Sequence, residues 1–340
     1  MKKHIINNIS DLIKILHQLG NPEQGKTRFF RGQANKNWKI QPSIFRSQNL
    51  IKNEDKIIKD IFKNCPDDFL PSDTLFEKLV KLQHYGCKTR LLDLTTNALV
   101  ALYFACIEVN HHNNDGELII LDIPNKDIKY SDSDTVSILS AISIRHNHFN
   151  IENCIYHASN IQKMKEAQYI QNYREHVDNF EELKKTALSS YGNKIDMSKR
   201  DYEQLILSAS KEEGEEAFLK AFNEQKEILA LIHDIRTDKP SFRPIINHKD
   251  FNKILCVKAK LNNARITRQQ GCFLLYGMNN DKLTPPSIPD EWIRRSGKQK
   301  FIIRNKENII KELELFGVST QTLFPELEKQ ATEIVSKYSI

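Results

Sequence analysis

The segment 98–106 constrains the fold of this chain more than any other. From residue 99 it reads Leu-Val-Ala-Leu-Tyr-Phe-Ala-Cys, which leaves a helix no polar face. A helix that is apolar all round is buried on every side, so other layers of structure must cover it. The chain has 340 residues, which is long enough to bury such a helix in one large domain or two ordinary ones.

Short β-branched or aromatic segments predict strands before and after this helix. The pair Phe29-Phe30 favours an opening strand, and residues 117–123 (Glu-Leu-Ile-Ile-Leu-Asp-Ile) favour a buried one. Further strands are predicted at 253–260, 272–276 and 301–303. Apolar residues at helical spacing predict helices over 11–19, 50–63, 73–84, 98–106, 305–316 and 324–338. The stretch 85–97, between the third and fourth of these helices, is interpreted as a polar connector.

The middle of the chain differs in character from both ends. Residues 125–250 are richer in charge and predict helices near 133–145, 160–190, 200–209 and 211–235. We therefore predict an α+β fold with a mixed sheet. Its core is formed by 1–124 and 251–340, with a helical subdomain inserted at 125–250.

Composition excludes several classes of protein. Lys and Arg exceed Asp and Glu by 50 to 44, a mild net charge of +6 that permits an anionic partner without demanding nucleic acid. The six cysteines include no Cys-x-x-Cys pair, so we expect reduced thiols and no structural metal. No signal peptide and no apolar span long enough for a bilayer is recognisable, which indicates a cytoplasmic protein. The oligomeric state is left open.

Arg31 ends the first predicted strand, with Gly32 and Gln33 after it. An arginine there is a candidate phosphate ligand, because its planar guanidinium binds phosphate oxygens in pairs, and Gly32 allows close approach of a backbone or ligand. The alternative is a solvated arginine in a tight turn.

A second polar stretch, 83–96, lies between two apolar helices. His84 either interacts with the C-terminus of the preceding helix or lines a cleft. Asp93 either caps the next helix, pairs with Arg90 or faces a ligand, and Thr95 or Thr96 either caps that helix or supports a site.

A third polar stretch, 262–273, leads into a strand. Gln269 and Gln270 precede a glycine, and their amides suit paired hydrogen bonds to ligand hydroxyls or amides. The alternative is the rim of a β-hairpin, with Arg265 and Arg268 in solvent.

These motifs together resemble the FRG domain family. Phe30-Arg31-Gly32-Gln33 is similar to the motif that names the family. Gln83-His84-Tyr85-Gly86, Thr89-Arg90-Leu91-Leu92-Asp93 and Ala101-Leu102-Tyr103-Phe104-Ala105 resemble its second block, and the stretch from Arg265 to Phe273 resembles its third. We expect ligand-binding roles for polar and glycine residues of the three stretches: Gly32, Gln33, His84, Tyr85, Arg90, Asp93, Thr96 and Gln270.

A weaker similarity, to the ADP-ribosyltransferase fold, suggests an activity on NAD. It implies that Arg31 holds the phosphates or nicotinamide ribose, that Thr95 or Thr96 braces the site, and that Gln269 or Gln270 binds the ribose. Such an enzyme would transfer ADP-ribose to a protein or nucleic-acid target or hydrolyse NAD, as a toxin or anti-phage effector. A glutamine carries no negative charge to stabilise an oxocarbenium ion, so Asp93 or Glu117 would have to supply one.

Two other functions are left open. A chain that kept the fold and lost catalysis would be a nucleotide- or partner-binding module, with the helical insertion as a partner surface. A metal-dependent nuclease is suggested by Asp115-Gly116-Glu117, but Ile119 stands where the common type has lysine.

Overall fold

The computed structural model describes residues 4–191, 197–260 and 263–339, so position 262 of the third polar stretch lies outside the described residues. The chain divides into two compact units. One comprises the residues up to 147 and those from 252 onward, and the other comprises 148–251.

A mixed sheet, with nine strands among the described residues, forms the first unit. Its strands are β1 (Ile5–Ile6), β2 (Lys26–Gln33), β3 (Leu91–Thr95), β4 (Gly116–Pro124), β5 (Ile128–Tyr130), β6 (Ile254–Lys258), β7 (Gly271–Tyr276), β8 (Ile293–Arg294) and β9 (Phe301–Ile303). They lie in the order β1-β9-β4-β2-β3-β7-β6-β5, with β8 beside β4. The outer pairs β1–β9 and β5–β6 are parallel and the other pairs are antiparallel. The predicted α+β class with a mixed sheet is confirmed, whereas its ADP-ribosyltransferase type stays a prediction.

Helices are divided between the two units. They are α1 (Ile9–Leu19), α2 (Gln48–Lys52), α3 (Glu54–Asn64), α4 (Leu75–His84), α5 (Ala98–Cys106), α6 (Asp134–Ala141), α7 (Glu152–Asp178), α8 (Phe180–Tyr191), α9 (Lys199–Asn223), α10 (Lys226–Asp238), α11 (Ala264–Gln269), α12 (Lys306–Leu315), α13 (Thr320–Leu323) and α14 (Leu327–Tyr338). The second unit contains α7 to α10, and the first unit contains the others. Among the described residues, no helix combines the length and apolar character needed to cross a bilayer. All six cysteines are free thiols.

Alternating residues of the central strands enter two separate cores, as the two-residue period of a strand requires. Phe30 and Ile120 pack with α5 in one core, whereas Phe29 and Ile119 pack in the other, beside Trp292. Helix α5 is buried as its all-apolar sequence predicts.

The predicted connector 85–97 is wrong in its middle, because it contains the central strand β3. Leu91, Leu92 and Leu94 are buried there. Asp93 and Thr95 interrupt these apolar residues, and for that reason the sequence pattern indicated a connector. The predicted hairpin rim before β7 is likewise wrong, since that segment is the short helix α11. The predicted helix 50–63 is divided at Asn53 into α2 and α3.

The structure divides the chain at 147/148 and 251/252, whereas the sequence analysis places the insertion at 125–250. Residues 125–147 count with the first unit because β5 extends the sheet, with Ile128 opposite Cys256 on β6. The second unit is helical throughout its described elements. Phe222, Ile228 and Leu231, which the sequence places on one apolar face, are buried.

Gly32 brings β2 into direct contact with the backbone of α5. A β-carbon built on Gly32 would lie 1.8 Å from the carbonyl oxygen of Ala101 and 2.8 Å from the amide nitrogen of Ala105. Both atoms belong to a helix backbone, which cannot move aside as the tip of a side chain can. The close approach anticipated at Gly32 is therefore made by the protein's own helix.

We expect Gly32→Ala to destabilise the fold by about 3 kcal/mol or to prevent folding, because the added methyl group forces α5 away from β2. Urea denaturation of the purified variant measures this loss. Gly271→Ala is the matched control, since a β-carbon there meets nothing closer than 3.6 Å. Equal midpoints for Gly32→Ala and wild type would contradict the assigned contact.

Candidate functional site

A cleft of about 280 Å³ opens in the first unit. It brings together residues from all three polar stretches of the sequence. The predicted site residues in its lining are Arg31, Gly32, Gln33, His84, Asp93, Thr95 and Gln269. The lining also includes residues that the sequence analysis did not select, among them Trp38, Gln83, Phe104, Glu108 and Arg265.

The cleft lies where β2 and β3 part. Strand β2 is paired with β4 along its whole length, but with β3 at a single position, Phe30 opposite Thr95. Beyond that position the side chain of Arg31 crosses to β3, and its Nη1 donates to the carbonyl oxygen of Asp93 at 2.8 Å. The guanidinium thus satisfies a strand carbonyl next to the cleft.

Arg31 is largely buried, with 16% of its side chain exposed, and its Nη1 lies 3.9 Å from Oδ2 of Asp93. Burial lowers the pKa of the Arg31 guanidinium, and the charge of Asp93 opposes that shift. An arginine keeps its charge even so. Its Nε is buried without a hydrogen-bond partner, so one donor of the guanidinium is uncommitted.

Asp93 places a carboxylate at the cleft. Its side chain is 63% exposed, and its Oδ1 accepts a hydrogen bond from Nε2 of Gln83 at 2.8 Å. It does not cap α5, because Asn97 does so through the amide of Leu99 at 2.9 Å. Its predicted pairing with Arg90 is also wrong. Asp93 therefore supplies a negative charge directly beside Arg31.

Thr95 links the end of α11 to the start of α5. Its hydroxyl donates to the carbonyl oxygen of Gln269 at 2.7 Å and accepts from the amide of Asn97 at 3.0 Å. The amide of Gln269 donates in turn to the carbonyl of Leu323 at 3.1 Å. Thr95 holds neighbouring elements together at the cleft, and the nitrogen of Gln269 is committed to α13.

His84 is the last residue of α4, as its predicted role near a helix C-terminus requires. Its Nε2 lies 3.0 Å from a carboxylate oxygen of Glu326, which also lies 3.7 Å from Nη1 of Arg265. Burial and the charge of Arg265 lower the pKa of His84, against the opposing effect of Glu326. Arg265 lies over the ring of Phe324 at 4.6 Å, so the prediction of a solvated Arg265 is wrong.

Several predicted ligand-binding residues do not line the cleft. Tyr85 is 74% exposed outside it. Gln270 ends α11 in the left-handed conformation, and its Oε1 accepts a hydrogen bond from the exposed Thr96 hydroxyl at 3.3 Å. These two side chains bond to each other on the surface.

Arg90 is fully buried and belongs to an internal ion pair. Its Nε and Nη2 donate to the two carboxylate oxygens of Glu54 at 3.0 and 2.5 Å. Lys282, also fully buried, lies 3.4 Å from Glu54, and burial lowers the pKa of this lysine to about 8. Arg90 does not line the cleft, and its guanidinium is committed to Glu54 inside the protein.

The carboxylates of the suggested nuclease motif are paired with cations. Asp115 bonds Lys36 at 2.9 Å and Arg304 at 3.1 Å. Lys300 donates to Glu117 at 2.9 Å. Across the described ranges, no three His, Cys, Asp or Glu side chains are grouped as potential metal ligands.

Comparison with known families gives a match for part of the chain. Residues 26–114 match the model of the FRG domain. This segment contains the first two blocks of the predicted resemblance, which is thereby confirmed there, while the third block lies outside the matched residues. No curated protein and no solved structure matches the chain.

Arg90→Ala should destabilise the protein by about 4 kcal/mol, because it leaves the Glu54 carboxylate buried without its bidentate partner. Chemical denaturation with circular dichroism measures the loss. Arg268→Ala serves as control, since this arginine is exposed and should change stability by less than about 0.5 kcal/mol. A stability loss no larger than that of the control would show that the buried pair does not hold the fold.

Proposed function

We propose that this chain, whose residues 26–114 match the FRG domain, binds NAD in the cleft and cleaves its nicotinamide–ribose bond. ADP-ribose would then pass to a macromolecular acceptor or to water. A role as a toxin or anti-phage effector in the cytoplasm belongs to the same proposal.

The observation that supports it is the pairing of Arg31 with Asp93 at the cleft. Arg31 offers an uncommitted Nε beside a cleft, and arginine is suited to the paired oxygens of a diphosphate. The Asp93 carboxylate lies 3.9 Å away. A cation and an anion held side by side match a substrate whose phosphates are negative and whose ribose becomes positive during cleavage.

The proposed chemistry breaks the bond between ribose C1′ and the nicotinamide nitrogen. Nicotinamide leaves with the bonding electrons and becomes neutral, while positive charge develops on the ribose. The Asp93 carboxylate stabilises that charge, which Gln269 cannot do. An acceptor oxygen or nitrogen, or water, then bonds to C1′ and releases a proton.

A second candidate function is nucleotide binding without turnover. The position of the glutamines favours it, because the Gln269 amide already donates to the Leu323 carbonyl at 3.1 Å and Gln270 bonds Thr96 away from the cleft. Asp93 distinguishes the two candidates, because binding alone does not require its charge.

We expect Asp93→Asn to lower nicotinamide release from NAD about 100-fold, with little change in NAD affinity, because the variant loses the charge and keeps the shape. Chromatography of released nicotinamide and mass spectrometry of modified acceptors measure the rate. Calorimetry measures the affinity. Binding of NAD with no release by wild type would favour the binding module.

Arg31→Lys should weaken NAD binding about tenfold or more, because a lysine cannot donate to paired phosphate oxygens. Thr96→Ala is the control outside the cleft and should bind as wild type does. NAD affinity equal to wild type in a folded Arg31→Lys protein would remove Arg31 from the site.

A further inference from the structure

Gln33 lines the cleft and carries a buried acceptor. The residue is 2% exposed. Its Nε2 donates to the carbonyl of Trp38 and to Oε2 of Glu117, each at 3.1 Å. Its Oε1 is buried and has no hydrogen-bond partner. A buried acceptor without a donor costs free energy that a ligand donor would recover.

The orientation of this amide is fixed by its neighbours. Turning it by 180° would set Oε1 against two other oxygens, the Trp38 carbonyl and the Glu117 carboxylate, neither of which donates. The nitrogen therefore faces the protein and the oxygen remains an acceptor only.

Glu117 is itself held in place. It lies directly opposite Gln33 across β2 and β4, so both side chains project from the same face of the sheet. Nζ of Lys300 donates to the same Oε2 at 2.9 Å, and the Glu117 side chain is 6% exposed. Glu117 is thus a positioning residue that sets the polarity of the Gln33 amide.

From this geometry we infer that Gln33 selects ligands carrying an N–H donor, and rejects ligands with an oxygen acceptor at the same place. The inference rests on the proposed function and deepens it. NAD carries two such donor groups, the carboxamide of nicotinamide and the amino group of adenine. Rejection arises because an acceptor facing Oε1 would leave both oxygens unpaired.

Two analogues of NAD show which of these two donor groups contacts Gln33, because each analogue replaces one of them. Nicotinic acid adenine dinucleotide replaces the carboxamide with a carboxylate, and nicotinamide hypoxanthine dinucleotide replaces the adenine amino group with a carbonyl. Calorimetry on the full chain should show NAD binding at least about tenfold more tightly than one of the two. The rejected analogue identifies the ring that faces Gln33.

Variants of the protein test whether Gln33 causes the preference for NAD over the rejected analogue. Gln33→Met keeps the length of the side chain and should bind NAD and the rejected analogue within about threefold of each other. Glu117→Gln should also reduce the preference, because it removes one of the two acceptors that hold the Gln33 amide in its orientation. Gln270→Met is the matched control, since this exposed glutamine bonds Thr96 outside the cleft, and the preference should persist. A denaturation curve for each variant confirms folding.

The outcomes are distinct from those that test the proposed function. Equal affinity of wild type for NAD and both analogues overturns the role of Gln33 and leaves NAD binding standing. A preference that survives in both Gln33→Met and Glu117→Gln overturns it as well. Failure of the wild type to bind any of the three dinucleotides overturns the proposed function itself.

Discussion

The contact between Gly32 and the backbone of α5 is the constraint on which the first unit depends. The helix has no polar face, so it must be covered completely, and the sheet covers it only if β2 approaches its backbone. Because α5 packs directly against Gly32, its residues Ala101 and Phe104 line the cleft. The glycine of the Phe-Arg-Gly motif thus shapes the cleft through packing.

Successive side chains of β2 point to opposite faces of the sheet. Phe30 and Gly32 face α5, whereas Arg31 and Gln33 project from the opposite face. Arg31 bonds the Asp93 carbonyl of β3, and Gln33 bonds the Glu117 carboxylate of β4. One strand therefore connects the helix layer to two neighbouring strands. The side chains of Arg31 and Gln33 each keep one atom without a hydrogen-bond partner at or beside the cleft.

Sequence predicted those features that depend on local pattern. The buried α5, the strand β4 and the helix end at His84 follow from composition and periodicity. Strand β3 did not, because Asp93 and Thr95 interrupt its apolar residues and made it resemble a connector. The ion pair of Arg90 with Glu54 and the fixed amide of Gln33 depend on contacts between distant residues, which local patterns cannot specify. The three polar stretches could be selected individually, but only the sheet order brings them to one cleft.

The parallel pairing of β1 with β9 has a consequence for the order of folding. Ile5 is opposite Ile302, so this edge of the sheet joins segments separated by nearly the whole chain. Loop-closure entropy makes such distant contacts slow to form, and domains rich in them fold slowly. During synthesis, β1 cannot pair with β9 until β9 has left the ribosome. Until then the apolar residues of β1 lack this partner strand, and exposed apolar residues of an incompletely folded chain promote aggregation.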